Sequence, residues 1–186
     1  MIRIEVPVPG GRSYPVLVGL MGAGKTAVGA SVAADLGRRH VDLDRAVTQL
    51  AGRSVGVIFH ESGEQAFRDL EEQALGLQMD AVDPVVLSTG GGVLGRETNR
   101  DALARGATVG WRRAAPETLA ARVGDLSSRP LLADGDPVEV LRRLDIERTP
   151  AYEAAADLVV DTDGLDVSTV GALVLDALPA TDGAVQ

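Results

Sequence analysis

Along this chain, short apolar runs alternate with longer segments in which apolar residues recur every third or fourth position, the patterns of strand and amphipathic helix in turn. Tyr14 to Val18 is the first such run, and Gly19-Leu20-Met21-Gly22-Ala23-Gly24-Lys25-Thr26 follows it at once. Val28, Val32 and Leu36 then fall at helical spacing and Gly37 supplies a stop, which predicts a helix over about 25–36. Val41-Asp42-Leu43-Asp44 reads as a second strand, with a helical stretch from there to Gly52. Ser54 is placed to cap a helix over Val55 to His60. Gly63 to Asp80 carries Phe67, Leu70, Ala74 and Leu75 on one face, an amphipathic helix. Pro84 leads into the buried-type strand Val85-Val86-Leu87, which ends in Ser88-Thr89-Gly90-Gly91-Gly92.

The second half continues the alternation. A helix is expected over about 97–105, a strand near 107–112, and a helix opened by Pro116-Glu117, with proline at its favoured first position. Residues 124–137 hold Gly, Asp, Ser and Pro without apolar periodicity and read as a mobile loop. A helix over about 137–148, a strand at Leu158-Val159-Val160 and a last helix near 166–178 complete the chain. Strands alternating with helices at this spacing predict an α/β fold, a parallel sheet with helices on both faces. With no repeat, low-complexity tract or linker, residues 1–186 form one domain.

Composition narrows the function classes. Hydrophobic residues make up 45% and charged residues 24%, an ordinary globular balance. The formal net charge of −9 speaks against nucleic acid as a partner, since phosphate backbones need a basic surface. A small anionic ligand needs only a local positive pocket. The absence of cysteine excludes disulfides, thiolate zinc sites and thiol nucleophiles. His40 and His60 are too few for a His-rich metal site and read as solvated or structural. No apolar run approaches the roughly 18 residues that cross a bilayer, and no signal pattern opens the chain, so a soluble cytoplasmic protein without a membrane partner is expected. Among the 18 basic residues only Lys25 is lysine. Compositional bias explains the missing lysines but not the one retained, where a compact ammonium does what a planar guanidinium cannot.

That lysine belongs to a Gly-x-x-x-x-Gly-Lys-Thr phosphate-binding motif, placed between a strand and a helix as the motif requires. Its glycines let successive N–H groups point at phosphate oxygens, and the helix dipole adds positive potential there. A nucleoside triphosphate would sit on Gly22, Ala23, Gly24, Lys25, Thr26 and Ala27, with Lys25 reaching the outer phosphates and the Thr26 hydroxyl holding Mg²⁺. A guanine-reading Asn-Lys-x-Asp motif is impossible, because the chain's lysine is already used. Asp42 and Asp44 are the candidate carboxylates for the metal shell, expected on one face of a strand by their i, i+2 spacing, or else they are a turn signal after a short strand. Arg68 has Glu64 at i−4 and Glu71 at i+3, so it is either a held ligand group or a solvated ion pair. Gly90, Gly91 and Gly92 at a strand's carboxyl end permit close approach of a ligand, or form a plain turn.

Six segments, GLMGAGKT, VDLD, ESGEQAFRDLE, STGGG, SRPLLA and ERTPAY, stand in the order and at the spacings of the shikimate kinase family, which the chain resembles over about 17–165. The resemblance implies a three-layer P-loop kinase fold with a five-stranded parallel sheet and a lid at about 124–137. It also implies transfer of the ATP γ-phosphoryl group to the 3-hydroxyl of shikimate, on the route to chorismate and the aromatic amino acids, by a protein expected to be a monomer. By the same resemblance Asp44 binds and orients the acceptor hydroxyl, and Arg68 and Arg148 clamp the shikimate carboxylate beside Gly90 to Gly92. Asp42 reaches Mg²⁺ through water, Arg129 swings from the lid onto the phosphates, and Arg122 stacks on adenine. Departures from the family pattern are Ala151, with looser packing expected behind Arg148, and Gly110 and Arg112, which should weaken a central strand. Residues 1–13 are an atypical extension, expected to be poorly ordered or packed at an edge. A gluconate-type kinase and a non-catalytic ATP-binding protein are the alternative readings.

Overall fold

The computed structural model describes residues 3–4, 14–124, 130–132 and 135–178. Its sheet contains β1 (Arg3–Ile4), β2 (Tyr14–Val18), β3 (His40–Asp42), β4 (Val86–Ser88), β5 (Ala107–Arg113) and β6 (Leu158–Asp161). The strand order is β1-β6-β5-β2-β4-β3. The last five strands are all parallel, and β1 pairs antiparallel with β6 through Arg3 opposite Val159. The parallel sheet is therefore as expected, and the extension adds a two-residue edge strand to it; the rest of residues 1–13 lie outside the described residues.

Every residue of β2 and β4 is buried, as strands covered on both faces must be. Leu17 packs with Val28, Val32, Val86, Val160 and Val170 on one side of the sheet. Its neighbours Val16 and Val18 join Leu43, Phe67, Leu87, Trp111 and Leu141 on the other. The period-two alternation of a strand thus separates two hydrophobic layers. The first layer is covered by α1 (Lys25–Asp35) and α7 (Val167–Ala177). The second is covered by α2 (Leu43–Ala51), α3 (Val55–Met79), α4 (Glu97–Ala104), α5 (Pro116–Arg122) and α6 (Pro137–Ala155).

Local signals explain most boundaries. Ser54 accepts the Val57 N–H to start α3, and Gly63, at φ 81°, breaks it into the two helices the sequence suggests. Asp136 and Asp166 cap α6 and α7. Two boundaries differ from expectation. The strand expected to reach Asp44 ends at Asp42, whose side chain accepts the Arg45 N–H and caps α2. Asp44 therefore lies in the first turn of a helix, and the one-face-of-a-strand placement of the two aspartates is wrong. α6 also runs past Pro150 instead of stopping near 148. Proline removes one helical hydrogen bond, but Tyr152 beyond it stacks on Trp111 with centroids 5.3 Å apart and donates to the Gly91 carbonyl at 2.5 Å. Tertiary packing thus carries the helix through its weak point.

The chain leaves β2 to build β3 and β4 on one side, then crosses to β5 on the other. This reversal makes the carboxyl end of β2 the crevice where open parallel sheets hold ligands. The glycine-rich loop emerges there.

Candidate active site

A cavity of about 820 Å³ opens over these strand ends. One half is the phosphate loop. Gly19, Gly22 and Gly24 hold φ of 136°, 82° and 74°, conformations that disfavour any side chain. A Cβ at Gly22 would also strike the Leu119 carbonyl of α5, so the loop is seated against its neighbours. Gly24 is the N-cap of α1, which has no side-chain cap, leaving its first N–H groups to a ligand. The Lys25 ammonium, nearly buried, donates to the Gly19 and Leu20 carbonyls at 2.8 and 2.9 Å. It bridges the start of the loop to its end and faces the cavity.

Thr26 donates its hydroxyl proton to Asp42 Oδ2 at 2.7 Å. A hydroxyl and a carboxylate at a helix N-terminus beside a phosphate loop suit a hard cation that takes its other ligands from phosphate and water. The described residues contain no cluster of three or more acidic or histidine side chains that could hold a metal unaided. His40 is structural, as expected: its Nε2 pairs with Ser88 Oγ at 3.0 Å, and Ser88 donates to the Lys25 carbonyl at 2.9 Å. Burial lowers the His40 pKa against the opposing pull of Asp42.

The other half of the cavity is a charge cluster fitted to the three glycines. Arg68 donates to Glu71 at 2.7 Å and to Glu64 at 2.9 Å. Both carboxylates hold it, so the solvated-pair reading of Arg68 is replaced by a fixed guanidinium at the cavity wall. A Cβ on Gly90 would stand 2.6 Å from Glu71 Oε1 and 2.9 Å from Asp44 Oδ1. One on Gly91 would stand 3.2 Å from an Arg148 nitrogen, and one on Gly92 would collide with the Arg68 guanidinium. The glycines therefore make room for charged groups, two carboxylates at Gly90 and one guanidinium each at Gly91 and Gly92, which a plain turn does not require. Burial raises the Glu71 carboxyl pKa, with Arg68 pulling it down and the nearby Asp44 charge adding to the rise. For Arg68, burial works to lower the pKa, but the paired Glu71 and Glu64 carboxylates outweigh it and the net shift is upward.

Asp42, Asp44, Arg68, Gly90 to Gly92, Arg122 and Arg148 all line this one cavity together with Gly22, Gly24, Lys25 and Thr26. Arg122 donates to the Thr162 hydroxyl and carbonyl at 3.0 and 2.7 Å, which fixes its guanidinium at the cavity wall. Arg129 and half of the expected lid, 125–129 and 133–134, lie outside the described residues. Four contributors were not singled out as site residues from sequence. Glu71 is fully buried and reaches the cluster; its i+3 spacing from Arg68 was the available signal. Tyr152 fixes the Gly91 carbonyl, and Phe59 and Phe67 form an apolar wall; nothing in their local pattern separates these from ordinary core.

A family model described as shikimate kinase matches residues 21–179. The chain belongs to the shikimate kinase family. It is 46% identical over 165 residues to the shikimate kinase of Symbiobacterium thermophilum, covering 88% of this chain and 94% of that one. With the shikimate kinase of Chromohalobacter salexigens identity is 43% over 148 residues, covering 80% and 82% of the two chains. Among solved structures, shikimate kinase from Acinetobacter baumannii in complex with shikimate superimposes with a TM-score of 0.85 at 32% identity, covering 89% of this chain and 91% of that chain.

The departures from the shikimate kinase pattern now have physical accounts. Ala151 packs against the core and lines a smaller cavity of about 170 Å³ with Arg68, Arg148 and Tyr152. Gly110 does not interrupt β5, which pairs with β2 from Tyr14 to Val18. A Cβ there would stand 3.3 Å from Leu17 Cδ2, so the leucine takes the space that a larger residue would fill. Nor does Arg112 break the strand; its side chain leaves the sheet and bonds the phosphate loop, donating to the Gly24 carbonyl at 2.6 Å.

Proposed function

We propose that the chain catalyses transfer of the γ-phosphoryl group of ATP to the 3-hydroxyl of shikimate, giving shikimate 3-phosphate and ADP for chorismate and aromatic amino acid synthesis. The observation that carries this is the single cavity in which a phosphate loop faces a cluster of two arginines and two carboxylates fitted against three glycines. A bare nucleotide-binding protein needs the first half only. A small acid carrying several hydroxyls needs the second.

In this reading the N–H groups of Gly22 to Ala27 cradle the phosphates, and Lys25 exchanges its carbonyl partners for phosphate oxygens as charge moves outward in the transition state. Arg68 and Arg148 grip the shikimate carboxylate, with Glu64 and Glu71 holding Arg68 in its rotamer. That grip turns the 3-hydroxyl toward Asp44, which accepts its hydrogen bond and orients a lone pair at the γ-phosphorus. The acceptor oxygen–phosphorus bond forms, the bond to the bridging oxygen of ADP breaks, and the hydroxyl proton passes to Asp44 or solvent. Arg122 packs on adenine, and Arg129 adds charge from the lid. Thr26 and Asp42 would hold Mg²⁺, which would supply charge neutralisation on the phosphates. The enzyme works as a single-domain cytoplasmic monomer; among the described residues no helix is long and apolar enough to cross a membrane.

The test is ADP release with ATP and Mg²⁺ in the presence of shikimate, gluconate or no acceptor. Stimulation by shikimate alone is expected. Stimulation by gluconate, or ADP release independent of acceptor, would overturn the acceptor assignment.

A further inference from the structure

Arg112 lies at the carboxyl end of β5 against the outer side of the phosphate loop and is only 4% exposed. Its own carbonyl occupies the space a Cβ on Gly19 would need, and its guanidinium donates to the Gly24 carbonyl at 2.6 Å. The residue therefore braces the loop at its first and last glycine. Its Nε is buried without a hydrogen-bond partner. Among the described residues no carboxylate pairs with it; the one charged side chain acting on it is Arg122, a second cation. Burial first, then repulsion from Arg122, push its pKa down to about 10. A buried cation with no counter-charge is costly, and an apolar residue of similar size would avoid that cost. An anion seated on the adjacent loop would offset it, and that loop is shaped to receive one.

We propose that Arg112 is a positioning residue for the nucleotide, acting through the Gly24 peptide on the far side of the phosphates. By donating to the Gly24 carbonyl it polarises that peptide, whose nitrogen is the Lys25 N–H at the start of α1. A donor behind an amide strengthens the same amide as a donor in front, the cooperativity of chained hydrogen bonds in a low-dielectric site. Its charge adds to the positive field at the helix N-terminus over a short, solvent-excluded path. The inference rests on the reading that the loop holds the phosphates of ATP, and it adds a second buried cation to the one that Lys25 supplies.

The experiment compares wild type with Arg112→Met and Arg112→Gln by calorimetric titration of MgADP and of adenosine, alongside thermal unfolding without ligand. Arg112→Met is expected to weaken MgADP by about tenfold, to leave adenosine unchanged, and to unfold at the same or a higher temperature than wild type. Arg112→Gln, which keeps a donor for Gly24 but no charge, is expected between the two for MgADP. A purely structural brace would show the reverse: both variants less stable, with MgADP affinity matching wild type in whatever fraction remains folded. That result would overturn the proposal. Failure of wild type itself to bind MgADP would instead overturn the phosphate-loop reading on which it rests.

Discussion

Removing the Arg68 side chain separates the acceptor site from the nucleotide site. Arg68 is bonded to Glu71 at 2.7 Å and Glu64 at 2.9 Å, with side-chain exposures of 13% for Arg68 and 0% for Glu71. Arg68→Ala takes away the charged donors proposed for the shikimate carboxylate, each worth about 1.5–3 kcal/mol. A loss near 3 kcal/mol raises the shikimate KM by on the order of 100-fold. The ATP KM should stay within about twofold, because no phosphate contact is touched. The same change leaves Glu71 buried and unpaired, which costs about 3 kcal/mol, the low end for a broken buried pair. Burial already raises the Glu71 pKa, and loss of Arg68 raises it further. A carboxyl whose folded pKa lies above its unfolded value contributes stability below the unfolded value, lost as pH rises through the folded one. The stability deficit of the variant should therefore be smaller at about pH 5 than at about pH 8. Steady-state kinetics in each substrate and thermal unfolding at the two pH values measure both effects. Arg68→Ala combined with Glu71→Gln should recover much of the stability and none of the shikimate affinity. Equal losses for ATP and shikimate, or recovery of the shikimate KM in the double variant, would refute the clamp.

Other perturbations test neighbouring parts of the site. Lys25→Arg should keep the fold and lose on the order of 100-fold in kcat, since a guanidinium does not fit between the Gly19 and Leu20 carbonyls; full turnover would contradict the reading of the retained lysine. Gly92→Ala should displace the Arg68 guanidinium and raise the shikimate KM by about tenfold with little change for ATP, as read by the same kinetics. Tyr152→Phe, which removes the bond to the Gly91 carbonyl, should lower unfolding stability by about 1 kcal/mol in denaturant titration; a variant as stable as wild type would show the bond contributes nothing.

Much of this molecule was legible from residue order alone, and the boundary of that legibility is physical. The phosphate loop could be read because every property it needs is local: glycines for positive φ, a helix start, and a lysine at fixed offset. The parallel sheet followed from the alternation of patterns. The place of Asp44 is not legible locally, because the Arg45 N–H bond that the Asp42 side chain accepts turns the chain from strand into helix. α6 was cut short because stacking of Tyr152 on Trp111 outweighs a proline, and that contact joins residues distant in sequence. The reason for three glycines was equally hidden: each matches a charge delivered by α2, α3 or α6. Arg112 looked like damage to a strand, because periodicity reports burial and not what a buried cation touches.

The central claim is that two arginines at one end of the cavity read the carboxylate of the acceptor. The most direct measurement is kcat/KM for shikimate against its methyl ester, which keeps every ring hydroxyl and loses only the negative charge. The expected result is a fall of on the order of 100-fold or more for the ester, with the ATP KM unchanged. Equal turnover of the two would contradict the account, because the cluster of Arg68, Arg148 and the three glycines would then have no role in choosing the acceptor.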